Sequence, residues 1–319
     1  LSHSAFTGIS RHHLGQVVAE LAGPWMARRE SDLRCRRGRE RRRAEGAGRR
    51  HELVFTDRVL VTLAVLRLQV PHAALAVMCG VHRCTVTRAV REVRPLLAGR
   101  GYATAQGRRL STLADVFAYA AAHGVMLRLD GSEIQVRRPP AGVRVRQEED
   151  EHHQVHQDLR PPRADPAGRD GTFRPGRQHD QTALQTDGID DLLGQFPDVT
   201  CEMDAGYRGL HRDHPGQVSV PPKKPAKDAA PEVTQAWERA RSQASTRICV
   251  EHAIADSKNW RSLQRWTGRR EDLPETIQAI GSLVSDRAAA PVTRRHLSIT
   301  QKLQARTSRA YLRTTPLVY

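Results

Sequence analysis

Long apolar runs, paired cysteines and aromatic residues are all scarce in this chain, and each shortage narrows what it can be. The longest apolar run, 59 to 66, is too short to cross a bilayer and stops at Arg67. No signal peptide is recognisable, so the sequence predicts a cytoplasmic protein with no membrane partner. Five cysteines, at 35, 79, 84, 201 and 249, form no CxxC pair, which argues against a disulfide framework or a cysteine-held structural zinc site. Acids are outnumbered: 35 Asp and Glu face 51 Lys and Arg, a formal net charge of +16. With aromatics at 4%, that balance favours a polyanionic partner, and nucleic acid is the commonest one. At 319 residues there is room for two domains and a sizeable core.

Residues 1 to 27 contain a short predicted helix, HLGQVVAELAGPW, with Pro24 near its end. From 28 to 50 the chain is dense in arginine and nearly free of apolar residues. Two readings stay open there: a solvated helix face or linker, or a phosphate-contacting arm with salt-dependent, sequence-independent affinity. At 51 the composition changes. FTDRVLVTLAVLRLQ (55 to 69) has Thr56 as its expected N-cap and then runs apolar, as a core helix does. Pro71 opens a second short helix that Gly80 closes, and VHRCTVTRAVREVRPLL (81 to 97) forms a third. This spacing predicts a helix-turn-helix. Ala76 lets two helices approach, Gly80 permits the left-handed turn, and Leu75, Val81, Val86 and Val90 fall in the inter-helix core. His82, Arg83, Thr85, Thr87, Arg88 and Arg91 are then the exposed positions, placed to touch bases and phosphates in a major groove. An ordinary three-helix packing unit with an Arg-rich surface is the plainer alternative.

A Gly-rich linker (98 to 110) leads to a helix at 112 to 124, stopped by Gly124. In VMLRLDGSEIQV (125 to 136), Val125, Leu127 and Leu129 alternate with Met126, Arg128 and Asp130, the period of a strand with one face on the core. Beyond Gly131-Ser132 the apolar parity slips by one, to Ile134 and Val136, which predicts a bulge or bend. Asp130 stands at that break, where a carboxylate is seldom left without a partner; a strand-end Asp capping a turn is the bland alternative. From 143 to 170 the sequence is foreign to its surroundings, rich in acids, histidines and prolines and without hydrophobic period. His152 and His156 stand at i, i+4 beside Asp150 and Glu151, but no apolar frame would hold them as metal ligands. Read one base along, codons that can encode QEEDEHHQVHQD (147 to 158) give RKKTNTIKSTK, a basic, strand-like segment. We therefore expect a copy in which two compensating small indels have put this segment out of frame, leaving a stretch unable to form a β-hairpin.

Beyond it, His179 and Asp180 precede a short amphipathic helix carrying Leu184, Ile189, Leu192 and Leu193. VTCEMDAGYRGL (199 to 210) reads as a strand ending at Ala205-Gly206, and QVSVPPKKPAKD (217 to 228) as a short strand opening into a basic proline loop. A long helical segment is expected over 231 to 266, then a last amphipathic helix ending near 290 and a basic tail, 291 to 319. Asp130, Asp204 and Glu251 lie on two strand ends and a helix, from which carboxylates can converge rigidly on one cleft. Such oxygens suit hard divalent cations, and two ions about 4 Å apart can assist an in-line phosphoryl displacement.

The segments LDGSEIQVRRP, FRPGRQHDQTAL, MDAGYRGL, VSVPPKKP and RICVEHAIADSKNWRSLQRWTGRRE, in that order, resemble insertion-element transposases of the DDE superfamily that carry an N-terminal helix-turn-helix. The resemblance spans about residues 1 to 290, apart from the foreign stretch. It implies an α/β (α+β) architecture: a basic helical arm (1–50), an all-α helix-turn-helix domain (51–100) and an RNase H-like domain (112–290) with a mixed sheet flanked by helices. It also implies Asp130, Asp204 and Glu251 as a catalytic triad holding two Mg²⁺ or Mn²⁺ ions, with Arg247 and Lys258 on DNA phosphates. Arg247, Glu251 and Lys258 fit the family's Arg-x3-Glu-x6-Lys pattern, while Ala244 stands where a Tyr is often found. The implied reaction is DNA cleavage at the ends of the element, then strand transfer by a freed 3′-hydroxyl; with the foreign stretch out of frame, the activity of this copy is expected to be weak or absent. The implied partners are double-stranded DNA, as terminal inverted repeats and target, and further copies of the chain. Two other classes compete: a DNA-binding protein without catalysis, and a metal-dependent nuclease without strand transfer.

Overall fold

The computed structural model describes residues 1–41, 51–129, 131–136, 152–156, 188–226, 229–243 and 248–289. The chain opens with α1 (Ser4–Thr7) and α2 (Arg11–Arg37). Ser10 caps α2, its hydroxyl accepting from the His13 N–H at 3.1 Å, and Gly38 ends it in the left-handed region at φ 65. This helix is longer than expected. Pro24 does not end it: the ring removes one N–H bond and crowds the carbonyl of Glu20, but Trp25, next along, is held by Glu92 and Arg58 and keeps the helix in line. Residues 28 to 37 are therefore helical, whereas the arginines from 42 to 50 lie outside the described residues.

The helix-turn-helix follows the sequence closely: α3 (Phe55–Leu68), α4 (His72–Cys79), a turn at Gly80 with φ 65, and α5 (Arg83–Ala98). Thr56 is not the cap of α3. The cap is Val54, two residues earlier, and its N–H donates to the Asp57 carboxylate at 3.3 Å. Leu75, Ala76, Val86 and Ala89 are buried together with Leu53, Val61 and Ala64, and Val81 packs on their edge. Each fully buried Leu or Val side chain there contributes about 1.5–3 kcal/mol of transfer free energy.

A hairpin, β1 (Tyr102–Ala103) with β2 (Arg109–Leu110), leads to α6 (Leu113–His123). A reciprocal box starts α6: Asp115 N–H donates to Thr112 Oγ1 at 2.8 Å, and Thr112 N–H to Asp115 Oδ2 at 2.7 Å. The parity slip in the next stretch marks a change of sheet. Leu127–Arg128 forms β3 and Gly131–Val136 forms β4, and the two join different three-stranded sheets. In the first sheet β3, β6 (Cys201–Glu202) and β7 (Val218–Ser219) are parallel in that order. In the second, β4 lies between β5 (His152–His156), antiparallel, and β8 (Arg265–Trp266), parallel.

The pairing of β4 with β5 corrects one expectation. The stretch from 143 to 170 was expected to leave the strand after Asp130 without a hairpin partner, yet Gly131 to Gln135 pair with His156 to His152. Ladder bonds use peptide N–H and C=O groups that every non-proline residue carries; the side-chain pattern decides which face is buried, not whether two strands can pair. The rest of that stretch lies outside the described residues.

The remaining elements are α7 (Ile189–Gln195), a 3-10 turn at Ala205–Tyr207 running into α8 (Arg208–Asp213), α9 (Pro231–Gln243), α10 (Ile248–Lys258), α11 (Arg261–Gln264) and α12 (Leu273–Ala289). The expected single helical segment to 266 thus ends earlier, with Arg265 and Trp266 drawn into a strand beside β4. Leu113, Phe117, Ile189, Leu193, Cys201, Met203, Tyr207 and Leu210 form one core around the parallel sheet. Another joins the two described ends: Leu14, Val17 and Leu21 of α2 and Val93 and Leu97 of α5 pack with Ala279, Ile280 and Leu283 of α12. Arg94, 7% exposed, bolts α5 to the start of α12 through Asp272 at 2.5 Å and Glu275 at 2.6 Å. Among the described residues no helix is long and apolar enough to cross a membrane.

Candidate nucleic-acid interface and candidate active site

His82 begins α5 and caps it, its Nδ1 accepting from the Cys84 N–H at 3.3 Å. His82, Arg83, Arg88 and Arg91 are exposed, so the first three turns of α5 carry a basic outer face. Thr85 and Thr87 are half-buried rather than exposed. The Thr85 hydroxyl donates to Glu52 at 3.1 Å, and Thr87 shares a hydrogen bond with His72 Nδ1 at 2.9 Å. A helical wheel of α5 cannot show this, because the partners come from α4 and from the segment before α3. Burial, helped by the charge of Arg83, pushes the His72 pKa below the usual histidine value and favours the neutral ring.

Behind this face, Glu92 of α5 receives Arg58 of α3 at 2.8 Å and the indole N–H of Trp25 at 3.1 Å. Arg58, only 4% exposed, and Arg29 each lie 5.6 Å from the Trp25 ring centroid. No local pattern announces this cluster, since its members come from three separate helices.

The candidate active site is described only in part. β3 and β6 run side by side in parallel, with Leu127 opposite Cys201 and Arg128 opposite Glu202. Arg128 Nε and Glu202 Oε2 are 2.7 Å apart, and the Leu129 N–H donates to the Glu202 carbonyl at 3.0 Å. Asp204 follows β6 after one residue, Met203, and caps the 3-10 turn, its Oδ1 accepting from the Gly206 N–H at 2.6 Å. Its carboxylate is thereby fixed at the strand end, and among the described residues its Oδ2 accepts no hydrogen bond. Asp130 and Arg247 lie outside the described residues. Glu251 is on α10, which packs against α11 and α12, and Lys258 closes that helix. Among the described residues no group of three or more His, Cys, Asp or Glu side chains is arranged to hold a metal ion. A hard divalent cation would find in Asp204 a donor of the right chemistry, oxygen on a rigid strand end.

Two family models match the chain. Residues 51–103 match the helix-turn-helix of DDE superfamily endonuclease, and residues 171–284 match the DDE superfamily endonuclease itself. The chain belongs to the DDE superfamily, of the transposase type with a helix-turn-helix ahead of the endonuclease region. The second match contains Asp204 and Glu251 but not Asp130, and it begins directly after the foreign stretch that ends at 170. No curated protein and no solved structure matches.

Proposed function

We propose that this protein is a DDE transposase that binds the ends of an insertion element through α5 and cuts DNA with a divalent metal held by Asp130, Asp204 and Glu251. The observation that carries the catalytic half is the parallel register of β3 and β6. Residues 130 and 204 each come two positions in sequence after the opposed pair Arg128 and Glu202, and that equivalence in two adjacent parallel strands is what supports a shared site for the two acids. That arrangement, with helices packed on a mixed set of strands, supports an RNase H-like domain within residues 112–290, preceded by a DNA-binding unit at 51–100. Mg²⁺ or Mn²⁺, bound as a pair, would stabilise charge on the attacking and leaving oxygens of the phosphodiester. The chain's own share is to fix the carboxylates and to hold the duplex: His82, Arg83, Thr85, Thr87, Arg88 and Arg91 at the groove, Arg247 and Lys258 on phosphates nearer the cut. Joining of the freed 3′-hydroxyl to a target duplex, within an assembly of several copies, completes the proposed reaction.

The frame-shift reading also stands as a proposal, supported by a family match that starts at 171, just past the stretch ending at 170. The β4–β5 ladder removes the argument that the shift deprives β4 of its neighbour. Sequencing codons 140 to 175 beside an intact copy of the element tests it. A DNA-binding protein without catalysis is the second reading. In its favour, α10, which bears Glu251, packs on α11 and α12, whereas Asp204 ends a strand of the other core.

The deciding experiment is nicking of a plasmid bearing the element's inverted repeats, with Mg²⁺ or Mn²⁺. Asp204→Asn should lower cleavage on the order of a hundredfold or more and leave duplex affinity within about twofold. Cleavage unchanged by this substitution would remove the catalytic reading. Binding that is salt-sensitive and indifferent to metal, with no cleavage by the parent chain, would establish the second reading.

A further inference from the structure

Beyond Leu21, α2 buries no residue completely, yet it runs on to Arg37. Its course relative to α5 follows from two contacts. Glu20 reaches Arg100, just past the end of α5, at 2.8 Å, whereas Trp25 reaches Glu92, mid-helix, at 3.1 Å. The two helices are therefore antiparallel, and α2 heads toward the end of α5 that begins with Arg83. Arg29, one turn further along, is within electrostatic reach of Arg58, as is Arg88 of α5. At 1.5 Å per residue, Arg36 lies about 16 Å past Trp25, and Arg83 lies about 14 Å before Glu92. The arginine-rich end of α2 thus stands level with the start of the helix that presents the groove-reading side chains.

The charges on this extension are not equally available. Arg34 pairs with Glu40, and Arg37 and Arg41 both pair with Glu30. Arg28 and Arg36 are exposed and have no acid partner among the described residues. A solvated half-helix with open guanidinium groups beside a DNA-reading helix has the chemistry of a phosphate contact.

We infer that residues 26 to 37 of α2 form a rigid clamp, with Arg28 and Arg36 gripping the phosphates that flank the groove entered by α5. The clamp rests on the helix-turn-helix reading above. It differs from a flexible basic arm in that Trp25 fixes its position through Glu92 and Arg58. Partner recognition here is of duplex backbone and carries no sequence information.

The test uses the full chain and duplexes carrying the inverted repeat, with binding measured by fluorescence anisotropy from 50 to 200 mM KCl. Each phosphate contact contributes roughly 0.9 to the slope of log K against log salt. The double variant Arg28→Gln, Arg36→Gln should flatten that slope by about 1.8, reducing the affinity lost across the salt range roughly tenfold. The corresponding Arg→Lys pair should restore it. Circular dichroism should show unchanged helix content, since both side chains are exposed. Arg88→Gln is the control for the underlying reading. If it weakens binding while the Gln pair leaves the slope unchanged, the clamp is overturned and the helix-turn-helix reading stands. If Arg88→Gln has no effect, the clamp beside α5 falls with the reading it depends on.

Discussion

Asp286 sits where α2, α5, the β1–β2 hairpin and α12 meet, and replacing it tests how the core shared by α2, α5 and α12 is held. Its Oδ2 lies 2.8 Å from His13 Nε2 and 2.7 Å from an Arg100 nitrogen, and its Oδ1 lies 3.0 Å from Arg109. Burial alone would raise its pKa. The His13 hydrogen bond and the Arg100 and Arg109 charges outweigh that and hold the carboxyl at about 2. Measured from the ordinary value of 3.8, the shift is worth about 2 kcal/mol of folding stability. A carboxyl depressed in the folded state contributes that amount in full well above pH 3.8 and loses it as the pH falls through about 2. Asp286→Asn also strands the Arg100 guanidinium, 3% exposed, with Glu20 as its one remaining carboxylate partner among the described residues. Leaving a buried charge half-compensated costs about 3 kcal/mol. Urea titration followed by tryptophan fluorescence reads this directly, because Trp260 and Trp266 lie in the same core. Asp286→Asn should lose about 3 kcal/mol at pH 7, and the gap to the parent should narrow by about 2 kcal/mol between pH 5 and pH 2. A loss below about 1 kcal/mol at pH 7, or a gap that stays constant over that range, would refute the reasoning.

Two further outcomes follow from single contacts. His72 is held neutral by burial beside Thr87, so acidification should cost stability: the contribution is present above the ordinary histidine value of 6.5 and lost as the pH falls below it. Melting of the parent should drop from pH 7.5 to pH 5.5, and His72→Gln should flatten that dependence; an equal drop in both would discount His72. At Gly281, an added Cβ would lie 2.6 Å from a ring carbon of Tyr102, so Gly281→Ala should destabilise by about 1–3 kcal/mol despite alanine's better helix propensity. Adding Tyr102→Ala should recover helix–hairpin fit, measured as a coupling in a double-mutant cycle; strictly additive losses would count against it.

The helix-turn-helix was legible because its determinants are local. Gly80 needs its left-handed turn, and Leu75, Ala76, Val86 and Val90 are buried where their spacing put them. The slip of parity after Leu129 was equally visible, but a slip cannot reveal that the two halves enter different sheets. Local rules failed at Pro24, which was expected to stand near the end of a short helix. There, the tertiary hold of Trp25 on Glu92 and Arg58 carries α2 past a missing hydrogen bond. They failed again at 152 to 156, where backbone pairing ignores the side-chain pattern. Of the candidate site, the place of Asp204 just past a strand could be read from its motif, but its fixing by the Gly206 N–H could not. The half-buried state of Thr85 and Thr87 depends on Glu52 and His72, which no periodicity in α5 encodes.

The packing of α12 against α2 and α5 has a consequence for how such a gene can evolve. A stop codon anywhere before Leu273 would not release a free-standing DNA reader, because α5 would lose the wall that seats Val93, Arg94 and Leu97. Truncated products of this gene should be cleared as unfolded chains and not persist as separate helix-turn-helix domains. The helix-turn-helix and endonuclease regions are thereby inherited together, since the last helix of the described chain completes the core of the half that is made first.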